Sequence, residues 1–261
     1  MVSGRLVSVV AFFFVGCGGS VGNTNSATGT EADFSFFVTS LTALRELSGS
    51  SDGFGGDLRF GETGAGAGLR GADKLCATIA ERSLAGSGSK PWRAFLSVSA
   101  DASGAKVNAI DRVGTGPWYD RVGRLVAATK SDLLAQRPAT ADAAIIKDLP
   151  NEDGVPNHAP DGLQVDNHDM LTGSDTSGKL GSGGTCADWT STTASERPMA
   201  GHAFPRNAGT SNDSAHWLSA HAVPGCKAGV TITDTGGGMG SSTVGGAGGY
   251  GGFYCFVKTG D

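Results

Sequence analysis

The five cysteines of this 261-residue chain are an odd number, and they constrain its fold more than any other feature. Cys17 directly follows an apolar run over residues 6–15. The other four are spread over the rest of the chain, at Cys76, Cys186, Cys226 and Cys255. Five cysteines in an exported protein leave one unpaired unless that cysteine has another role. If Cys17 has such a role, the remaining four predict two disulfides in an oxidising compartment.

The N-terminal run has the properties of an export signal. Arg5 supplies a positive charge, and residues 6–15 are apolar apart from Ser8. As a helix, these ten residues would span about 15 Å, half of a bilayer core, so they predict a signal peptide and not a transmembrane helix. Residues 14–17, FVGC, resemble the lipobox of bacterial lipoproteins, in which a small residue precedes a cysteine that is lipidated. The resemblance implies lipidation of Cys17, and the alternative is an ordinary signal peptide with an incidental cysteine.

These features divide the chain into a signal peptide (1–16), a flexible tether (17–33) and one domain (34–261). Residues 18–30 are small or polar with a single valine, which is typical of a tether. The chain is 39% hydrophobic, enough for a core, and its 43 glycines predict many turns and loops. The net charge of −5 disfavours nucleic acid and anionic membranes as partners. Membrane attachment would therefore depend on the lipid.

The periodicity of apolar residues predicts few regular elements. Residues 70–86 have apolar positions at helical spacing and predict the main helix, ending near Gly86. Residues 34–47 begin with strand alternation, and strands are also predicted at 92–97 and around 124–128. No regular element fits most of the polar stretch 150–185, and the ten glycines between 235 and 252 predict a mobile insertion.

Several motifs in this order resemble the endostatin domain found at the C-terminus of certain animal collagens. They are RGAD at 70–73 followed by Cys76, WRAFLS at 92–97, LTGSD at 171–175, CADW at 186–189 and YCFV at 254–257. The resemblance covers residues 34–261, and bacterial lipoproteins with domains of this kind exist, mostly without an assigned activity.

The resemblance implies an α+β, C-type-lectin-like fold with a twisted, mostly antiparallel sheet, one or two helices and long loops. It also implies two nested disulfides, Cys76 with Cys255 and Cys186 with Cys226. The vertebrate domain binds zinc through histidines at its N-terminus, and residues 18–60 here contain no histidine. That zinc site is therefore not expected. A heparin-binding basic face is not expected either, because the arginines are scattered and the net charge is negative.

Motifs of catalysis and nucleotide binding are weak in this sequence. Residues 66–71 match GxGxxG but follow no buried strand, so they do not predict a dinucleotide site. The five histidines show none of the short HxxxH or HxxEH spacings of zinc hydrolases, and packing or solvation is their expected role. They are His158, His168, His202, His216 and His221. No nucleophile elbow is present, and a pair of catalytic carboxylates stays open because the sequence does not show spatial separation.

The acidic stretch 151–169 offers carboxylate and amide oxygens of the kind that calcium binds, without the spacing of an EF-hand. Calcium is the one cofactor that we consider, with Asp161, Asp166 and Asp169 as ligands, and the alternative is a solvated polar loop. The broader candidates for a ligand-binding surface are Asp161, Asp166, Asn167, Asp169, Asp175 and Trp217.

The sequence thus favours an exported, lipid-anchored module that recognises a protein or glycan through its long loops. It would be attached to the cell envelope of a diderm bacterium, in the outer membrane, with the periplasmic or surface face left open. The first alternative is a structural envelope lipoprotein without a ligand. The second is an exported hydrolase, and no catalytic residue is predicted for it.

Overall fold

The computed structural model describes Met1 and residues 30–158, 167–193, 195–205, 215–232 and 241–260. Within these ranges the chain is an α+β domain with a mostly antiparallel sheet, which confirms the predicted class. The helices are α1 (Leu41–Ser48), α2 (Ala67–Ser83), α3 (Lys130–Leu133) and α4 (Cys186–Trp189). The strands are β1 (Phe36–Val38), β2 (Trp92–Ala94), β3 (Trp118–Tyr119), β4 (Leu125–Ala127), β5 (Asp169–Leu171), β6 (Met199–His202), β7 (His221–Ala222) and β8 (Gly249–Val257).

Strand β8 organises the main sheet, whose order is β1-β8-β5-β6-β7. Both β1 and β2 pair antiparallel with residues 254–257 of β8, whereas β5 runs parallel to its first half. Strands β6 and β7 continue the sheet in antiparallel fashion beyond β5. Every residue of β8 is buried, so the sheet is covered on both faces around this strand.

The main helix is confirmed, with its bounds shifted three residues toward the N-terminus relative to the predicted 70–86. Its apolar face, including Leu75, Cys76 and Ile79, is buried in the core. Gly68 allows the close packing of α2 against α4, because a Cβ atom there would lie 2.2 Å from the Asp188 carbonyl oxygen. The apolar spacing predicted which face of α2 is buried. Gly68 determines how closely α4 packs against α2.

Two other predicted segments differ in detail from the structure. Residues 34–47 divide into β1 and α1, because the Ser40 side chain accepts a hydrogen bond from the Ala43 amide and caps the helix. The glycine-rich segment predicted at 235–252 is not an insertion throughout, since its last four residues begin β8. Glycine suits this position because a Cβ atom on Gly252 would lie 2.8 Å from the Met170 sulfur of β5.

The two expected disulfides are present. Cys76 of α2 is bonded to Cys255 of β8, and Cys186 is bonded to Cys226, with sequence separations of 179 and 40 residues. These bonds indicate an oxidising, exported compartment. Among the described helices, none has the length and apolar character needed to cross a bilayer. Cys17, the signal peptide apart from Met1, and residues 18–29 of the tether lie outside the described residues.

Candidate metal centre

Three histidines and one aspartate converge at the end of the sheet formed by β5, β6 and β7. Asp169 begins β5 and is paired in register with His202, the last residue of β6. His221 begins β7 opposite Ala200, two residues before His202, so the two imidazoles belong to the same face of the sheet. His168 directly precedes β5, and its ring centroid lies 4.1 Å from that of His202.

The distances within this cluster match those of a tetrahedral metal site. The Nε2 atoms of His168, His202 and His221 lie 3.1, 3.4 and 3.2 Å from Oδ1 of Asp169. One ligand atom from each of the four residues lies within 4.8 Å of all the others. A zinc ion with bonds of about 2.0–2.1 Å holds its donor atoms about 3.3 Å apart. The three distances to Asp169 therefore fit such an ion, and the four ligand atoms are close enough together to hold it.

Two members of this cluster, Asp169 and His202, have buried polar atoms with few partners among the described residues. The Asp169 side chain is 0% exposed, and outside the cluster neither of its carboxylate oxygens has a hydrogen-bond partner among the described residues. The two ring nitrogens of His202 are also buried and make no hydrogen bond within the described chain. A buried carboxylate without compensation costs several kcal/mol. A bound cation would provide that compensation.

The electrostatics of the cluster keep the aspartate ionised. Burial by itself would raise the pKa of Asp169, but the adjacent imidazoles of His168 and His221 outweigh it and lower the pKa below its usual value. Burial and the neighbouring His168 lower the pKa of His202 to about 3, so this imidazole is neutral at pH 7. The Asp169 carboxylate raises the pKa of His221. One carboxylate and a neutral imidazole are thus already in the states that a metal ion requires.

Contacts behind the ligands hold them in place. Nδ1 of His221 lies 3.4 Å from the Ala222 carbonyl oxygen, which favours the tautomer with a free lone pair on Nε2. Arg137 donates hydrogen bonds to the carbonyl oxygens of His202 and Ala203, and so fixes the end of β6. A Cβ atom on Gly201 would lie 1.8 Å from the Trp217 carbonyl oxygen, so the residue before His202 has to be glycine.

The donor set distinguishes between classes of ion. Imidazole nitrogens suit borderline ions such as Zn²⁺, Cu²⁺, Ni²⁺ and Co²⁺, whereas Ca²⁺ takes six to eight oxygen ligands. The structure places Asp169 among three imidazoles, a donor set that suits the borderline ions better than calcium. Asp161 and Asp166, the other two residues of the calcium hypothesis, lie outside the described residues.

The remaining predicted ligand residues do not gather at one surface. Trp217 is fully buried, and its indole nitrogen donates to the Leu133 carbonyl oxygen, so it belongs to the core. The Asp175 carboxylate organises its own turn by accepting hydrogen bonds from Ser177 and Lys179. Asn167 is buried next to His168, and its side chain donates to the Asn157 carbonyl oxygen.

A second group, Cys186, Glu196 and Cys226, also has metal-ligand atoms close together. Its two sulfurs form a disulfide, which leaves no thiolate to coordinate an ion.

Sequence reasoning missed the metal centre because it looked for short spacings on one element. The four residues lie in or directly next to three strands. Asp169 and His202 are 33 positions apart in the sequence. The sequence offered one signal: it has five histidines, and three of them lie in this cluster.

Comparison with protein-family models gave no match, and comparison with curated proteins gave none either. The class of this protein therefore follows from its fold and its site. It is an exported, disulfide-bonded α+β domain with a candidate transition-metal centre.

Proposed function

We propose that this domain is a metalloprotein that binds one divalent transition ion of the Zn²⁺ class through His168, Asp169, His202 and His221. The observation that carries the proposal is the fully buried Asp169 carboxylate, which faces three imidazole Nε2 atoms at 3.1–3.4 Å and has no hydrogen-bond partner outside the cluster in the described structure. Four protein ligands complete a tetrahedron.

The ion has a structural role in this proposal. Catalytic zinc sites keep one coordination position open for water, whereas structural sites are closed by four protein ligands. The ion would join the ends of β5, β6 and β7, which are neighbours in the sheet but separated in sequence. This arrangement favours a binding domain with a stabilised scaffold over the hydrolase alternative.

The test is zinc binding by the purified, metal-stripped protein. We expect isothermal titration to give one Zn²⁺ per chain, and His202→Ala and Asp169→Asn each to lower the affinity at least a hundredfold. His216→Ala is the matched control, because His216 lies outside the cluster and faces the Leu134 carbonyl oxygen. Zinc uptake that is absent in the wild type, or unchanged in both cluster variants, would contradict the proposal.

The cellular setting that we propose is attachment of this domain to the bacterial envelope through lipid on Cys17, with the domain acting as a binding module for a protein or glycan. The exported compartment indicated by the disulfides supports this setting, as does the disulfide pairing shared with endostatin-like domains. A structural envelope lipoprotein is the alternative, and it differs by having no saturable ligand.

Lipidation is tested by Cys17→Ser in the full chain. We expect the wild type to partition with membranes and the variant to be soluble or unprocessed, because a diacylated cysteine anchors stably whereas a single chain does so only marginally. Equal fractionation and equal migration of the two proteins would rule out the anchor.

A further inference from the structure

A cavity of about 540 Å³ lies between α1, the end of α2 and the chain around residues 151–157. Small-molecule sites commonly have volumes of about 300–1,000 Å³. The walls combine apolar side chains such as Leu41 and Ile79 with four buried polar residues, Asn151, Glu152, Asn157 and Asn167. None of the four metal-centre residues lines this cavity. Its chemistry therefore has to be judged separately from that of the metal centre.

Several donors along the cavity wall are already engaged within the protein. The Ser40 hydroxyl donates to the Glu152 carboxylate at 2.5 Å, and the Ser83 hydroxyl donates to the Glu152 carbonyl oxygen at 2.6 Å. The amide nitrogens of Asn157 and Asn167 are turned toward each other's main-chain carbonyl oxygens. These groups are therefore occupied and not directed to a ligand.

The hydrogen-bond acceptors of the cavity wall, in contrast, are not fully used within the protein. Oδ1 of Asn167 is buried and has no partner among the described residues, although it could accept two hydrogen bonds. The Glu152 carboxylate, on a residue only 6% exposed, accepts from the amide and hydroxyl of Ser40 and has about four acceptor positions. Burial raises the pKa of Glu152 because its charge is poorly solvated. A ligand that donates several hydrogen bonds and carries positive charge would satisfy both residues.

The charged residues that line the cavity also favour a positively charged ligand. Glu46 and Asp153 also line the cavity, and Arg82 is the one basic residue among its lining side chains. Arg82 is itself paired with Glu46 at 3.2 Å. A bound cation favours the ionised form of Glu152, and in that form three acidic residues and one basic residue give the lining a net charge of −2.

We propose that this cavity binds a small molecule that carries a primary ammonium group, with the ammonium directed to Glu152 and Asn167 and an aliphatic or sugar body against Leu41 and Ile79. An ammonium group offers three donors and no acceptor, which complements the acceptors left open here. Free aliphatic amines and amino sugars share this chemistry.

The test is titration of the zinc-loaded protein with cadaverine and with glucosamine. The matched compounds without ammonium are 1,5-pentanediol and glucose. We expect at least one amine to bind saturably, at least tenfold more tightly than its matched compound. The two amines distinguish the aliphatic source from the sugar source. Saturable binding of neither amine, or equal binding of an amine and its uncharged counterpart, would overturn the proposal.

Variants locate the binding in the cavity. Glu152→Gln removes the charge at constant shape, and we expect it to weaken amine binding at least tenfold. Asn167→Ala provides a second test that does not depend on Glu152, and Asp52→Asn changes an exposed acid outside the cavity and serves as control. If both cavity variants are folded and bind the amine as the wild type does, the proposed site is wrong. Zinc content measured in each variant separates this outcome from failure of the metal centre.

Discussion

At the scale of single residues, burial decides what each polar or aromatic side chain does. Asp169 and Asp175 are both aspartates of the polar stretch, yet one is a buried member of the metal centre and the other organises a turn. Trp217 packs against Tyr254, with ring centroids 5.0 Å apart, and receives a hydrogen bond from the Tyr254 hydroxyl on its carbonyl oxygen. From the sequence, Asp169, Asp175 and Trp217 were all candidates for the same ligand-binding surface.

Trp217→Ala is therefore expected to destabilise the domain by about 3–5 kcal/mol, because it leaves a cavity in the core. Urea unfolding of the wild type and the variant measures the difference. Val122→Ala is a suitable control, since Val122 is 55% exposed and its truncation should change stability by about 0.5 kcal/mol or less. A Trp217 variant as stable as this control would show that the indole is not part of the core.

Glu152 gives a pH dependence of stability whose sign follows from its burial. Its folded-state pKa is raised above the ordinary value of about 4.3, so the folded state holds the proton more tightly than the unfolded state does. The stabilisation linked to that proton is fully present below pH 4.3 and is lost as pH rises through the folded pKa. We expect Glu152→Gln to gain stability relative to the wild type as pH rises above about 4.3.

Chemical unfolding of both proteins between pH 4 and 8 measures this difference. The comparison uses the change with pH and not the offset at one pH, because glutamine also alters the hydrogen bonds with Ser40. If the difference in free energy of unfolding between the two proteins does not vary with pH, then folding does not shift the pKa of Glu152.

At the scale of elements, α4 shows how covalent and polar contacts hold an unfavourable backbone. All four of its residues have positive φ values, between 52° and 63°. A left-handed turn of this kind costs roughly 1–2 kcal/mol per residue for non-glycine residues. The Asp188 carboxylate accepts hydrogen bonds from Ser99 and Ala100, and Cys186 is tied to Cys226. These contacts offset the backbone cost.

The two disulfides should differ in their contribution to stability. In the chain-entropy model, closing a loop of 179 residues contributes about 5 kcal/mol and closing one of 40 residues about 4 kcal/mol. We expect the paired change of Cys76 and Cys255 to alanine to destabilise more than the paired change of Cys186 and Cys226. Denaturant unfolding checks the order, and peptide mapping without reduction checks the pairing in the wild type. A peptide that links Cys76 to Cys186 would contradict the fold.

At the scale of the whole molecule, the proposed metal centre would connect metal binding to folding. The four ligands come together only in the folded sheet, so an ion that binds the folded state stabilises it by mass action. The gain is about 2.7 kcal/mol when free zinc is one hundred times its dissociation constant.

For a domain of this size we expect zinc to raise Tm by roughly 5–11 °C, because each kcal/mol shifts Tm by about 2–4 °C. Thermal scans with zinc and with a chelator measure the shift, and Asp169→Asn should abolish it. Calcium at the same concentration should have no comparable effect at this centre. If zinc binds with full stoichiometry and Tm does not move, the centre is not structural.

The sequence by itself determined the main helix and the number of disulfides, because apolar spacing and cysteine count are properties of the chain, whereas the α+β class came from motif resemblance. The pairing of Cys76 with Cys255 and of Cys186 with Cys226 came from motif resemblance. Only the tertiary structure decided that His168, Asp169, His202 and His221 form one site, since the register of β5, β6 and β7 brings together residues that are distant in sequence. It also decided that Trp217 lies inside, because burial depends on what packs against a side chain and local spacing does not record that.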